Sequence, residues 1–173
     1  MLFAFLYTTG PYPLSYNGWG DVLVIVFFGF VPVGGTYYVQ ALTWTPDVTI
    51  ASLICGLLID TLLVVNNYRD READARSGKR TVIVRFGEKF GRYFYLMLGV
   101  TASFLCLCFL REGHFLAALL PQLYLIPHFL TWKRMVKIYS GKKLNSILGE
   151  TSRNMLFMGV LTVSYTHLRA HET

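Results

Sequence analysis

Residues 47–81 read "DVTIASLICGLLIDTLLVVNNYRDREADARSGKRT". The stretch changes character at Asn66. Up to Val65 it is almost wholly apolar, with Asp60 as its one charge after the opening Asp47. From Asn66 it is a dense mixture of amides, carboxylates and basic residues. The apolar part approaches the roughly 20 residues that a helix needs to cross a bilayer. The stretch therefore reads as a span, about Val48 to Val65, ending in a polar motif at the membrane surface.

Other apolar segments of similar length lie on both sides. Val22–Ala41, Tyr93–Leu110 and Phe115–Trp132 read as full spans, Met1–Tyr7 as the end of one, and Met155–Tyr165 as the start of another. Pro121 and Pro127 are expected to kink the segment that holds them. Between the first two spans lies the turn "LTWTPD", whose Trp44 suits the interface. The whole chain is 54% hydrophobic and 15% charged, with a mean hydropathy of +0.45. Soluble domains carry about 25% charged residues, so a soluble helical protein is the disfavoured alternative. Fold class is read as all-α, a polytopic transmembrane helical bundle. The apolar start has no basic region and no cleavage site of a signal peptide. Cys55, Cys106 and Cys108 lie inside apolar runs without CxxC spacing and are read as buried side chains.

Net charge is +6, and its placement matters more than its size. Eight of the sixteen Lys and Arg fall between Arg69 and Arg92, and six between Lys133 and Arg153. Such clusters could suggest nucleic acid, but they flank spans, where the positive-inside rule accounts for them. Alternating the spans puts the loop before Val22, the motif loop and the Lys133–Arg153 loop on one face, which is assigned to the cytoplasm. The partners expected are lipid and lipid-linked substrates, with no nucleic acid.

If the helix continues past Val65, Asn66, Asp70 and Asp74 fall at i, i+4 and i+8, and Asn67 lies three and seven residues before the same aspartates. These side chains share a face. Two carboxylates a turn apart repel unless a cation lies between them. Mg²⁺ is the natural choice, since it takes oxygen ligands and is commonly held by one or two carboxylates together with substrate phosphates. Arg69, Arg71, Lys79 and Arg80 can meet the remaining phosphate charge, and a turn at Gly78 brings Lys79 and Thr81 back toward the site. These residue types describe a site for a diphosphate whose lipid tail lies in the bilayer. The bland alternative is a solvated loop of mixed charge, which the spacing at a span end argues against.

"NNYRDREADARSGKRT" followed by "VIVRFG" resembles the second aspartate-rich motif of the UbiA superfamily of intramembrane prenyltransferases. The loop and span start "YTTGPYPLSYNGWGDVLVIVFFG", Tyr7–Gly29, is similar to a segment of the branch that prenylates 1,4-dihydroxy-2-naphthoate for menaquinone. The resemblance covers roughly residues 1–163. It implies nine helices around a cavity, with two aspartate motifs facing each other on the cytoplasmic side. About five to six helices are present here, and the first motif is absent. Residues 1–165 are therefore read as the C-terminal part of such a domain, unable to turn over alone, and 166–173, "THLRAHET", as a polar tail foreign to a span.

The resemblance implies transfer of a polyprenyl group from polyprenyl diphosphate to dihydroxynaphthoate with loss of CO₂, in a bacterial inner membrane, with Mg²⁺ as cofactor. Asp70 and Asp74 are the expected metal ligands and catalytic residues. Asn66, Asn67, Arg69 and Lys79 are the expected diphosphate contacts. Tyr12, Tyr16 and Asp21 join the catalytic set, because the resemblance places their loop over the cavity, where aromatic faces attract an allylic cation. Asp21 has a second reading as a helix cap, and the tyrosines as interfacial anchors.

The resemblance assigns no role to Asp60. A charge at the bilayer centre costs roughly 2.5–3.5 kcal/mol on insertion scales. It lies seven residues before Asn67, on the side of the same cavity, and is given a structural role. His128 is read as a satisfied polar residue, and Gly99, Ala102 and Ser103 as a place of close helix approach. Three other readings compete: a different aromatic prenyltransferase, a CDP-alcohol phosphotransferase and a transporter subunit. The phosphotransferases carry a D-G-x-x-A-R run that this chain lacks. A transporter would use Asp60 for coupling and need neither Mg²⁺ nor prenyl diphosphate.

Overall fold

The structure is a computed structural model and describes residues 14–170. All regular structure among them is helical. A short 3₁₀ turn at Leu14–Tyr16 leads into five rods: α1 Gly20–Ala41, α2 Pro46–Arg76, α3 Val82–Arg111, α4 Phe115–Ile138 and α5 Leu144–Ala170. The first four are long and apolar enough to cross a membrane. The all-α, polytopic reading is borne out. The partial span at Met1–Tyr7 lies outside the described residues.

The central helix is α2. Thr45 caps it through its hydroxyl, which accepts from the Val48 N–H at 3.4 Å, and Pro46 occupies the first helical position. There a proline loses nothing, since that N–H has no partner within the helix. Asp47 adds a carboxylate at the positive end of the helix dipole. Nothing then interrupts the backbone for 31 residues. Val64, Val65 and Tyr68 are fully buried, and α2 packs against α1, α3 and α5.

The crossing of α1 and α2 is backbone against backbone. A Cβ on Gly29 would lie 2.4 Å from the Ser52 carbonyl oxygen, and one on Gly56 would lie 2.9 Å from the Ile25 Cα. Only glycine fits at either point. Ile25–Gly34 of α1 is wound as a π-helix around Pro32. The wider turn suits a residue that has no N–H and whose ring crowds the carbonyl four residues back.

A second close approach organises α3 and α4. The His128 ring lies over Gly99, where a Cβ would fall 2.3 Å from Nε2. Tyr95 and Tyr124 stack on the imidazole with ring centroids at 4.7 and 5.1 Å. Nε2 is 3.2 Å from the Leu96 carbonyl and Nδ1 is 3.0 Å from the Tyr124 hydroxyl. A carbonyl only accepts, so Nε2 carries the hydrogen and Nδ1 accepts from Tyr124. Ser103 donates to Gln122 Oε1 at 2.9 Å, and Asn154 donates to Thr131 Oγ1 at 2.9 Å, joining α3 to α4 and α5 to α4. The satisfied role of His128 and the close packing at Gly99 agree with expectation.

Three expectations are corrected. Asp21 does not cap α1. The helix starts at Gly20, and the preceding Trp19 already has near-helical dihedrals, so Asp21 falls inside the first turn. The prolines of α4 produce one irregularity and not two. Leu120–Tyr124 is a 3₁₀ turn with Pro121 at its start, whereas Pro127 falls in the first turn of the helix Leu125–Ile138, where it removes no needed donor. The last helix starts at Leu144, well before Met155, and its backbone runs on to Ala170.

The loops before α1, after α2 and after α4 meet at one end of the bundle. The Arg80 N–H donates to the Tyr16 carbonyl and the Arg85 guanidinium to the Asn17 carbonyl, both at 2.8 Å. Arg69 reaches Asn145, at the start of α5, at 2.9 Å. Large apolar side chains such as Val39, Leu42 and Leu156 face outward, as a lipid environment requires.

Gly99→Val forces a branched side chain into the His128 ring and is expected to cost about 1–3 kcal/mol. Gly149 has open space around its Cα, so Gly149→Ala should be neutral or stabilise by up to about 1 kcal/mol. Thermal unfolding of the two variants in detergent checks the contrast.

Candidate active site

The site is built on the end of α2. At about 1.5 Å per residue its 31 residues span roughly 46 Å, against about 30 Å of hydrocarbon. The excess carries Asn66–Arg76 out of the apolar layer without a break in the helix. The chain then reverses. Gly78 takes φ of +77°, which glycine adopts freely, and the Lys79 N–H donates to the Asp74 carbonyl at 2.9 Å. This turn sets Lys79 Nζ 3.4 Å from both Asp74 oxygens. Thr81 then caps α3 by accepting from the Val84 N–H at 3.3 Å.

Each aspartate has its own cation. Arg69 donates through Nε to Asp70 Oδ1 at 2.7 Å and through its terminal nitrogen to Asp70 Oδ2 at 2.6 Å. The same nitrogen reaches Asn66 Oδ1 at 2.7 Å, and the other terminal nitrogen reaches Asn145. The guanidinium thus gathers two of the three groups that the spacing assigned to a metal, Asn66 and Asp70, and leaves Asp74 to Lys79. Among the described residues no three His, Cys, Asp or Glu side chains cluster as a metal site. Two carboxylates and an amide oxygen still suit Mg²⁺, which completes its shell with waters and substrate phosphates.

Arg71 departs from expectation. It faces away from these oxygens and is nearly buried, donating to the Tyr68 carbonyl at 2.7 Å and pairing with Glu88 at 3.5 Å. It lies over the rings of Tyr68 and Tyr139, at 4.5 and 5.2 Å from their centroids. Arg92 pairs with the same Glu88 at 3.1 Å and donates to the Tyr68 hydroxyl at 3.0 Å. Hydrogen bonding to the Glu88 carboxylate holds the Tyr139 phenol above its usual range, while Arg71 acts in the opposite direction. Arg71 is a structural clamp because the helix turn that puts Asn66 and Asp70 on one face puts position 71 on another.

Two cavities adjoin α2. A small polar one, about 110 Å³, is lined by Gly18, Gly20, Asp21, Leu63, Asn66, Asn67, Lys79 and Thr81. It brings together four of the expected site residues: Asp21, Asn66, Asn67 and Lys79. Toward the other end of α2 lies a larger apolar groove of about 670 Å³, with Ile54, Leu58, Phe109 and Met158 in its wall. Tyr16 is 41% exposed and takes no part in the polar cavity; its contribution here is its carbonyl, bound by Arg80. Tyr12 lies outside the described residues. Asn145 was missed by the sequence reading, since nothing in "GKKLNS" ties it to a motif 76 positions earlier.

A comparison with known families settles the relationship. Residues 1–161 match the UbiA prenyltransferase family. The chain belongs to this family. A 1,4-dihydroxy-2-naphthoate octaprenyltransferase of Haemophilus influenzae is 35% identical over 162 residues, which is 91% of this chain and 52% of that protein. The Escherichia coli protein of the same name is 41% identical over 104 residues, 60% of this chain and 33% of its own length. A Synechocystis protein named 2-carboxy-1,4-naphthoquinone phytyltransferase is 28% identical over 101 residues, 58% of this chain and 33% of its own. The chain thus spans about half the length, or less, of these curated relatives. No solved structure matches it. Family and helices together make it an integral membrane protein of the UbiA type, similar to the dihydroxynaphthoate branch.

Arg71→Ala leaves Glu88 with one partner fewer and removes the second, side-chain donor to the Tyr68 carbonyl. It is expected to lower stability by about 1–3 kcal/mol. Arg69→Ala removes a more exposed pair and should shift stability by less than about 1 kcal/mol. Thermal unfolding of both variants distinguishes the clamp from the surface pair.

Proposed function

We propose that the protein transfers a polyprenyl group from its diphosphate to 1,4-dihydroxy-2-naphthoate, with loss of CO₂, to give demethylmenaquinone. The observation that carries this reading is the arrangement on one helix. Carboxylates, amides and cations gather at the end that leaves the bilayer, and an apolar groove opens along the remainder. A prenyl diphosphate has the same two-part chemistry. The names of the relatives supply the acceptor.

In this reading Asn66, Asn67 and Lys79 bind the diphosphate, and Asp70 and Asp74 hold Mg²⁺ against it. The bound metal supplies Lewis-acid stabilisation of the departing diphosphate. Arg69, set free from Asp70 and Asn66, presents its guanidinium fork to the phosphate oxygens. Asp21 lies in the wall of the same cavity, and the catalytic roles given to Tyr12 and Tyr16 rest on the family resemblance alone. The apolar groove takes the isoprenoid tail and keeps water from the allylic cation. Residues 1–165 form part of one transmembrane domain whose motif-bearing end faces the cytoplasm of a bacterium, the side that its Lys and Arg clusters favour.

The test uses the protein at the length of its relatives, in membranes, with Mg²⁺, dihydroxynaphthoate and a prenyl diphosphate. Asp70→Ala is expected to lower turnover by about a hundredfold or more, as loss of a metal ligand does, and Lys79→Ala by about tenfold. Prenylation that survives Asp70→Ala would move the metal elsewhere. A well-folded protein that prenylates no naphthoate would refute the acceptor assignment.

A further inference from the structure

The α1–α2 interface contains polar groups that no structural role explains. Asp60 is fully buried, and neither of its carboxyl oxygens has a hydrogen-bond partner. Asp21, on α1, is 8% exposed and lines the polar cavity, and its Oδ1 is also without a partner. Ile25 meets Gly56 and Gly29 meets Ser52, so the register of the crossing sets Asp21, one turn before Ile25, opposite Asp60, one turn after Gly56. Asp60 lies one helical turn beneath Leu63, the deepest α2 residue in the cavity wall. A carboxyl buried for structure accepts hydrogen bonds from its surroundings, because the buried polar groups of folded proteins are paired. Three orphaned oxygens in one place are acceptors waiting for donors.

The reactants differ in what they can offer such a group. A diphosphate carries only acceptors and negative charge, so two carboxyls repel it toward Lys79, in the wall of the same cavity. A prenyl tail carries no polar hydrogen. A hydroxylated aromatic ring carries O–H donors on a flat apolar body, which suits a carboxyl in a cavity wall that Gly18 and Gly20 leave free of side chains. A hydroxyl that donates into a carboxylate also pushes electron density into its ring, which attack on an allylic carbon requires. A metal ion would have to shed its waters into an apolar seam for two side-chain ligands, a poor exchange for a hard cation.

We propose that Asp21 and Asp60 form the subsite for the hydroxyl groups of the aromatic acceptor, with Asp21 in contact with the ring hydroxyl and Asp60 behind it as the positioning residue. This rests on the prenyl-transfer reading above and names the place of its second substrate.

The experiment uses the full-length protein in detergent or nanodiscs. Dihydroxynaphthoate and, separately, a short prenyl diphosphate with Mg²⁺ are titrated calorimetrically into wild type, Asp21→Asn, Asp60→Asn and Asp60→Leu, and each protein is melted. The acceptor Kd is expected to rise roughly ten- to hundredfold in every variant, as when a hydrogen bond to a charged group is lost. Prenyl diphosphate binding holds or tightens as the repelling carboxyls are neutralised, and the melting temperature holds or rises, most in Asp60→Leu. A purely structural Asp60 would lower the melting temperature and weaken both ligands together, which overturns the subsite. An unchanged acceptor Kd overturns it too, and so does a loss confined to Mg²⁺ binding, which would mark a cation site. Wild type that binds prenyl diphosphate but no dihydroxynaphthoate overturns the acceptor reading itself, and the subsite with it.

Discussion

The structure depends on α2 being longer than the bilayer is thick. A spanning helix has all its backbone groups paired internally, and one that simply continues carries that rigidity into the surface layer. Asn66, Asp70 and Asp74 are therefore placed by the same hydrogen-bond ladder that holds Ile54 and Leu58 in the core. A motif on a loop would need its own scaffold. Here the scaffold is the span, and the neighbouring helices, packed around its buried face, fix its rotation as well as its depth.

Charge at the end of α2 is divided between two tasks. Arg71, Glu88, Arg92 and Tyr139 lock α2 to α3 and to the end of α4, with the guanidinium groups stacked on aromatic faces. Arg69 and Lys79 sit on the other side, half-exposed, each on a carboxylate. A buried clamp of this kind is a poor candidate for substrate contact, because breaking it leaves a charge without compensation. The half-exposed pairs exchange partners at little cost. The burial of Arg71, whose side chain is 10% exposed against 25% for Arg69 and for Lys79, separates framework from reactive surface within a run of eleven residues.

Much of this was legible in the sequence. Apolar length located the four spans, and the i, i+4, i+8 spacing placed Asn66, Asp70 and Asp74 correctly because α2 does not break. Gly78 announced the reversal that returns Lys79. What the sequence hid was partnership across distance. Arg69 and Arg71 have the same composition signal, and only rotation about α2 tells them apart. The link from Arg69 to Asn145 depends on how helices pack, which local periodicity does not encode. The start of α5 was missed because its first turns, with Asn145, Ser146 and Glu150, are too polar to resemble a span, although polar residues continue a helix readily.

The backbone contact between α1 and α2 has an evolutionary consequence. At most helix crossings a larger side chain on one partner is tolerated when the other partner shrinks. Gly29 and Gly56 leave no such exchange, since both are already the smallest residue and each is opposed by main chain, the Ser52 carbonyl in one case and the Ile25 Cα in the other. Substitution at either position has no second-site suppressor within the pair. Drift at this crossing is closed from both sides, and descendants of the chain that keep the hairpin must keep both glycines.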